Sequence, residues 1–526
     1  MSASRPLMWR SAVMWLLPSA LALAAGAVVV LAFAPFGWYP FAVLGLALFY
    51  HLIRSAAPRA AAFRGWLFGL GLFAAGVFWI RISLNEFGNL PAPIANGLML
   101  VFVAAMALYY ALAAWLIRRL QPPADGPQWV GPLLVLPSVW VLLEWLRGWL
   151  FTGFPWLLVG NAQINALPLI GAPLAGLAPV LGVHGLSLAV ALSAGLVWCL
   201  VRDRRRAGWS RSAALAVLTF TLAVIWLGSA LLARVEWTQP RGEPLSVSVL
   251  QGNVEQALKW EPDGLLPTLE VYLELTRRHL HSDVIVWPET AIPDFLHQVQ
   301  GVLIEPLAET ARAEGAEVVI GVPVMEDREH YYNGLISLGS AADHYYKRHL
   351  VPFGEFLPFK AQLSPLIDWF QVPMSDFSRG QAERPLLQVG SHAVGVSICY
   401  EDVFPQEVRQ ALPDAAYLIN VSNDAWFGDS LAPHQHLEFA RLRALENGRP
   451  LVRATNSGIS AIIDHRGRVI DALPLFVRAG LVAEIQPRSG STPFSRFGSL
   501  PTLLAAALML LAAVVLSRRR QLWVGR

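Results

Sequence analysis

Cys399 is one of two cysteines among 526 residues. It closes an apolar run in "VGVSICYEDVF" (394–404), with Tyr400, Glu401 and Asp402 directly after it. A cysteine becomes a nucleophile when a base takes its proton or a nearby cation lowers its pKa. Two further stretches place polar residues at or just past strand ends. "VIVWPETAIP" presents Glu289, and "YYKRHLVPFGEFLP" presents Lys347 with Glu355 eight residues on. A carboxylate can serve as the base, and an ammonium can steady a tetrahedral oxyanion. Glu, Lys and Cys together are therefore a sufficient acyl-transfer set. Taken singly, each has a plain reading: a turn residue, a solvated lysine, an inert thiol. Ligand and catalytic groups in α/β folds collect near the carboxyl ends of strands, which is where these stretches fall.

The elements that must position them follow from patterning. From about 244, short β-rich runs alternate with polar amphipathic stretches. Strands are expected at 245–253, 282–289, 316–324, 333–339, 392–401, 415–424, 450–458 and 460–470. Helices are expected at 264–281, 301–314, 404–412 and 434–448. Such alternation with apolar strands predicts an α/β domain whose sheets are covered by helices. Residues 352–380 form a Pro- and aromatic-rich excursion, read as a lid that meets a bilayer. His434 and His436 are two apart at a helix start and share no helical face. They are read as structural, no metal site is expected, and no cofactor is required.

The rest of the chain belongs to a membrane. The full sequence is 55% hydrophobic and 15% charged, with mean hydropathy +0.47, against roughly 25% charged residues in soluble domains. A net charge of +3 gives no reason to expect nucleic acid. Runs long enough to span are read at 12–34, 38–53, 65–82, 95–117, 128–146, 182–201, 213–233 and 499–517. The first is read as a retained span, not a removed signal. Arginine clusters at 5–10, 54–64, 118–119, 202–211 and 518–520 all fall on one side if there are eight spans with both termini inside. That puts 234–498 outside the cytoplasm. "RGWLFTGFPWLLVGNAQ" (147–163) is either an aromatic belt or a re-entrant loop, Trp156 included, that helps lipid reach the outer domain. Glu144 and Arg147 either pair at a helix end or touch a lipid head group. Cys199, in an apolar run, reads as inert.

"WPET", "KRHLVPFGE" and "SICYED" resemble the Glu-Lys-Cys triad of the nitrilase (carbon–nitrogen hydrolase) superfamily. Together with "VSNDAWFG" and the eight apolar runs, they resemble the apolipoprotein N-acyltransferase family of Gram-negative bacteria. The resemblance implies an eight-span membrane domain (1–234, with the last span in 491–526) and a periplasmic αββα sandwich (235–490). It implies ping-pong transfer in a bacterial inner membrane, from sn-1 of a phospholipid such as phosphatidylethanolamine to the α-amine of diacylglyceryl apolipoproteins. Glu289 is then the base, Lys347 the oxyanion group and Cys399 the nucleophile. Glu355, Tyr400, Glu401, Asn333 and Trp260 are implied as supports, and Trp426 and Phe427 as lining the acyl or lipoprotein path. For Trp260, Trp426 and Phe427, core packing is the competing reading. The family implies a monomer. Competing functions are a membrane-tethered amidase or nitrilase and a transporter or sensor with an inert outer domain.

Overall fold

A computed structural model describes residues 5–123, 126–168, 170–203, 209–259, 261, 263–357 and 376–519. Trp260 and residues 358–375 of the excursion lie outside the described residues. The chain divides into two compact units. The first comprises Met1–Phe78, Pro93–Val235 and Ser499–Arg526, and the second Trp79–Ala92 and Glu236–Gly498.

The first unit is helical. Helices overlap every one of the eight apolar runs: Arg5–Val29, Pro40–Ile53, Pro58–Gly76, Ala92–Leu120, Leu136–Arg147, Ala178–Asp203, Trp209–Leu232 and Leu500–Arg519. Among the described residues, five helical stretches are long and apolar enough to cross a membrane, or six if Pro58–Gly76 and Ile80–Phe87 count as one broken span. Pro40–Ile53 is short, and a π-type turn at Gly131–Val135 precedes Leu136–Arg147. Large apolar side chains such as Val101, Phe220 and Leu508 face outward, as helices solvated by lipid do. Glycines let the first and third helices touch. A Cβ on Gly26 would fall 1.9 Å from the Phe68 carbonyl oxygen, and one on Gly71 2.0 Å from that of Leu23.

The segment after Arg147 is irregular and buried from Trp156 to Ile164. Glu144 and Arg147 do not pair at a helix end. They hold this loop instead: Arg147 donates to the Phe154 and Trp156 carbonyls at 2.8 and 2.5 Å, and Glu144 accepts from the Val159 N–H at 3.0 Å. Irregular backbone is tolerated in an apolar setting only when its polar groups are met this way.

The second unit is a sandwich. Its strands are β1 (Thr238–Pro240), β2 (Leu245–Gln251), β3 (Val284–Val286), β4 (Glu317–Met325), β5 (Tyr331–Leu338), β6 (Asp343–Tyr346) and β7 (Leu386–Val389). Then come β8 (His392–Ile398), β9 (Leu418–Ser422), β10 (Leu451–Thr455), β11 (Ala461–Ile463), β12 (Val469–Ala472), β13 (Ala479–Ile485) and β14 (Arg488–Gly490). One six-stranded sheet runs β13-β2-β3-β4-β5-β6, the other β12-β11-β10-β9-β8-β7, and β1 pairs with β14. Alternation fills three layers. Val247, Val249, Val286, Val396, Ile398, Val421 and Val452 meet between the sheets. Leu250, Ile285, Ile320 and Val322 face outward and pack under helices Leu265–His279 and Glu305–Glu314. Leu418, Leu451 and Ile463 pack under helix Ala432–Asn447. The result is an αββα arrangement.

The run at 460–470 is two strands, not one. Asp464 accepts from the N–H groups of Arg466 and Arg468, both at 2.8 Å, and Gly467 takes φ +73°, so the chain turns there.

Candidate active site

Glu289 follows β3, Lys347 follows β6 and Cys399 follows β8. The first two come from one sheet and Cys399 from the other. Lys347 is 1% exposed, and its Nζ donates to Glu355 Oε1 at 2.8 Å and to Glu289 Oε1 at 3.4 Å. Asn333, on β5, donates from one Nδ2 to the same two oxygens, at 2.7 Å for Glu289 and 3.0 Å for Glu355. The second oxygen of Glu289 accepts from the Asn423 N–H at 2.8 Å, and that of Glu355 from the Val351 N–H at 2.8 Å. Glu289, Lys347, Glu355 and Asn333 thus form one buried cluster. Burial alone would lower the Lys347 ammonium, but the Glu355 and Glu289 carboxylates outweigh it and hold it above the ordinary lysine range.

Cys399 is partly buried and takes φ +51°. A side chain in that left-handed region costs about 1–3 kcal/mol and survives only where the surroundings enforce it. The chain leaves β8 here and enters the turn Cys399–Val403. Burial and the Glu289 carboxylate push the thiol well above its usual pKa, while Lys347 draws it down.

Glu401 joins the two sheets across the site. Its Oε1 accepts from the Tyr345 hydroxyl (2.9 Å), the Arg348 N–H (2.6 Å) and the His349 N–H (3.1 Å), and its Oε2 from the Ile398 N–H (2.8 Å). It therefore fixes the Lys347 loop against the Cys399 turn. Tyr400 meets the rings of His349 and Phe404 edge-on.

Trp426 and Phe427 lie on the turn Asp424–Phe427, and residues from Trp79–Ala92 cover it. Trp79 contacts Phe427 edge-on at 4.7 Å, Phe87 contacts Trp426 at 5.5 Å, and the Ser83 hydroxyl donates to the Trp426 carbonyl at 2.7 Å. Trp426 keeps 40% of its surface exposed. Trp156 belongs to the first unit and is 1% exposed, stacked on Phe154.

Sequence reasoning missed what lies beneath Cys399. Asp402, Asp424, His436 and Arg453 are all buried there. His436 Nδ1 is 2.9 Å from Asp424, and its Nε2 is 2.9 Å from Asp402 and 3.3 Å from the Cys399 carbonyl. Both ring nitrogens face carboxylates, so both carry protons. Arg453 completes the cluster at 2.9 Å from Asp424 and 3.4 Å from Asp402. Burial and Arg453 would lower His436, but Asp402 and Asp424 outweigh them and raise it to about 9. Asp424 shifts oppositely: burial would raise its carboxyl, yet His436 and Arg453 hold it far below the usual range.

These shifts predict a pH signature. A histidine raised on folding stabilises fully below its unfolded pKa of about 6.5, and that contribution is lost as pH rises through about 9. Melting temperature in detergent is expected to fall by several degrees between pH 7 and 10. His436→Gln is expected to flatten that decline, and a variant that keeps the full slope contradicts the assignment.

The comparisons with known proteins agree in order and extent. Residues 25–196 match the apolipoprotein N-acyltransferase N-terminal domain, and residues 246–494 match the carbon-nitrogen hydrolase family. The chain is 44% identical to the apolipoprotein N-acyltransferase of Methylococcus capsulatus over 506 residues, covering 95% of this chain and 96% of that protein. It is 43% identical to that of Nitrosomonas europaea over 495 residues, covering 93% and 96%. A nitrilase-superfamily amidase from Nesterenkonia AN1 aligns with 51% of this chain and 98% of its own, at 18% identity and a TM-score of 0.36. Matched by both domain families and by relatives along nearly its whole length, the chain belongs to the apolipoprotein N-acyltransferase family.

Proposed function

We propose that this protein moves an acyl chain from sn-1 of a glycerophospholipid to the α-amine of an N-terminal diacylglyceryl-cysteine, through a thioester on Cys399. The observation that carries the reading is the buried Glu289–Lys347–Glu355–Asn333 cluster acting on a cysteine in a strained turn, in a chain of this family.

Glu289 takes the Cys399 proton as sulfur attacks the ester carbonyl. The resting thiol is protonated, so the base acts during attack. Lys347 meets the oxyanion. Held above the ordinary lysine range, it stays an ammonium and cannot compete as the base. The carbon–oxygen bond breaks, Glu289 returns the proton to the glyceryl oxygen, and a lysophospholipid leaves. The incoming amine then attacks the thioester, loses its proton to Glu289, and the proton returns to the departing sulfur.

Both substrates are lipid-anchored, which accounts for a catalytic unit built into a multi-helix chain. Bilayer access also lets the thioester avoid water. We read the chain as eight spans of a bacterial inner membrane, with both termini cytoplasmic and the catalytic unit periplasmic, working as a monomer. The arginine distribution supports that orientation. Trp426 is the residue we place on the lipid path, since it stays exposed on the turn that supplies the Asn423 N–H to Glu289.

The test uses purified protein in detergent, phosphatidylethanolamine and a diacylglyceryl-cysteine peptide. Equal yields of lysophospholipid and triacylated peptide are expected. Ammonia release from small amides without any lysophospholipid overturns the transferase reading in favour of a hydrolase.

A further inference from the structure

A second buried lysine lies on a short helix that is anchored to the cluster through Gln256 and Asn423. Lys259 ends the short helix Gln256–Lys259 and is 2% exposed. Its Nζ is buried with no hydrogen-bond partner among the described residues. Taking an ammonium out of water without a partner costs several kcal/mol, so its retention needs a reason. The helix itself is anchored at the site. Gln256 accepts from Asn423 Nδ2 at 2.7 Å, and the Asn423 N–H donates to Glu289 Oε2 at 2.8 Å. Residues three apart share a helix face, so Gln256 and Lys259 are presented together toward the Asn423–Glu289 side.

Charge supplies the reason. Around Lys347 stand two carboxylates, Glu289 and Glu355, and one ammonium. That leaves an excess negative charge in a buried place, which opposes ionisation of the base. Lys259 evens the count. Burial lowers its ammonium to about 8 and Glu289 acts against that, so it remains charged at neutral pH. We propose that Lys259 is a positioning residue for the acyl transfer: a buried cation, with no hydrogen-bond partner among the described residues, that favours the Glu289 carboxylate until it takes the Cys399 proton. This deepens the acyl-transfer reading and rests on it.

The groups facing Glu289 are known from each side. Asn333 comes from β5, Lys347 from the segment after β6 with Glu355 behind it, Asn423 from the turn after β9, Cys399 from the turn after β8, and Lys259 from its own helix. Removing the Lys259 charge therefore takes away a cation that favours the Glu289 carboxylate.

The experiment measures the pH dependence of Cys399 acylation by phosphatidylethanolamine, using the full chain in detergent. In Lys259→Met the acid limb is expected about one pH unit or more above wild type, which is about a tenfold loss of rate below the limb. Lys259→Arg keeps the charge and is expected to restore the wild-type limb. Lys259→Met removes a buried ammonium but also the charge that offsets Glu289, so its melting temperature is measured in parallel to separate a loss of fold from a displaced limb. A Lys259→Met or Lys259→Gln limb at the wild-type position overturns the proposal. A limb displaced equally in Lys259→Arg also overturns it. If instead Glu289→Gln acylates at the wild-type rate, the base assignment itself fails, whatever Lys259 does.

Discussion

A Cys399→Ala protein is expected to carry no acyl adduct after incubation with phospholipid and to release no lysophospholipid. The loss in transfer rate is expected to reach at least ~10⁴-fold, the scale seen when a covalent nucleophile is removed. Alanine suits the test. It leaves Asp402, His436 and Arg453 in place beneath the turn, and its Cβ meets the same backbone cost at φ +51° as cysteine does. The fold should therefore survive while the reaction stops. Cys199, the other thiol, is 1% exposed in the first unit and serves as an internal control. Mass spectrometry of the peptide containing residue 399 reads the result. No adduct in wild type, or an equal adduct in the variant, removes Cys399 from the mechanism.

Glu289→Gln is expected to lower the rate of thioester formation by about 10²–10⁴-fold, the usual worth of a positioned general base. The substitution keeps the volume but not the hydrogen bonding. Asn333 and Lys347 donate to one oxygen of Glu289, and the Asn423 N–H donates to the other. Whichever way the amide is turned, its NH₂ meets a donor. A mismatch of that kind costs about 1–3 kcal/mol, so the melting temperature should fall too. The two effects separate by readout: single-turnover acylation reports the chemistry, and thermal unfolding reports the mismatch. A variant that melts early yet acylates at the wild-type rate would show that another group takes the proton.

Glu289 and Cys399 stand out in the sequence because each follows an apolar strand, β3 and β8, whereas Lys347 follows the short, polar β6 and stands out through the family motif. The support from Asn333 and Glu355 is legible through the family motif, and in the structure Asn333 donates to Glu289 while Glu355 accepts from Lys347. The charge cluster under Cys399 was not legible. Asp402, Asp424, His436 and Arg453 come from two turns, a helix and a strand, and no spacing connects them. The one available signal was an acid directly after the nucleophile, and Asp402 carries it. Strands β6 and β7 are not legible in the sequence because "DHYY" and "LLQV" are four residues each, too short for alternation to speak. Lys259 is silent in sequence for another reason: a lysine beside a short helix looks solvated until burial is known.

The assignment of Trp79–Ala92 to the second unit bears on how relatives could be recombined. That stretch lies between two apolar helices in the chain, yet its side chains cover the turn that carries Trp426 and Phe427. The same turn delivers the Asn423 N–H to Glu289. A chimera that grafts only 236–498 onto another member's helices would set foreign residues against that turn. The heritable block is discontinuous, and 79–92 has to travel with 236–498 for the catalytic unit to arrive whole.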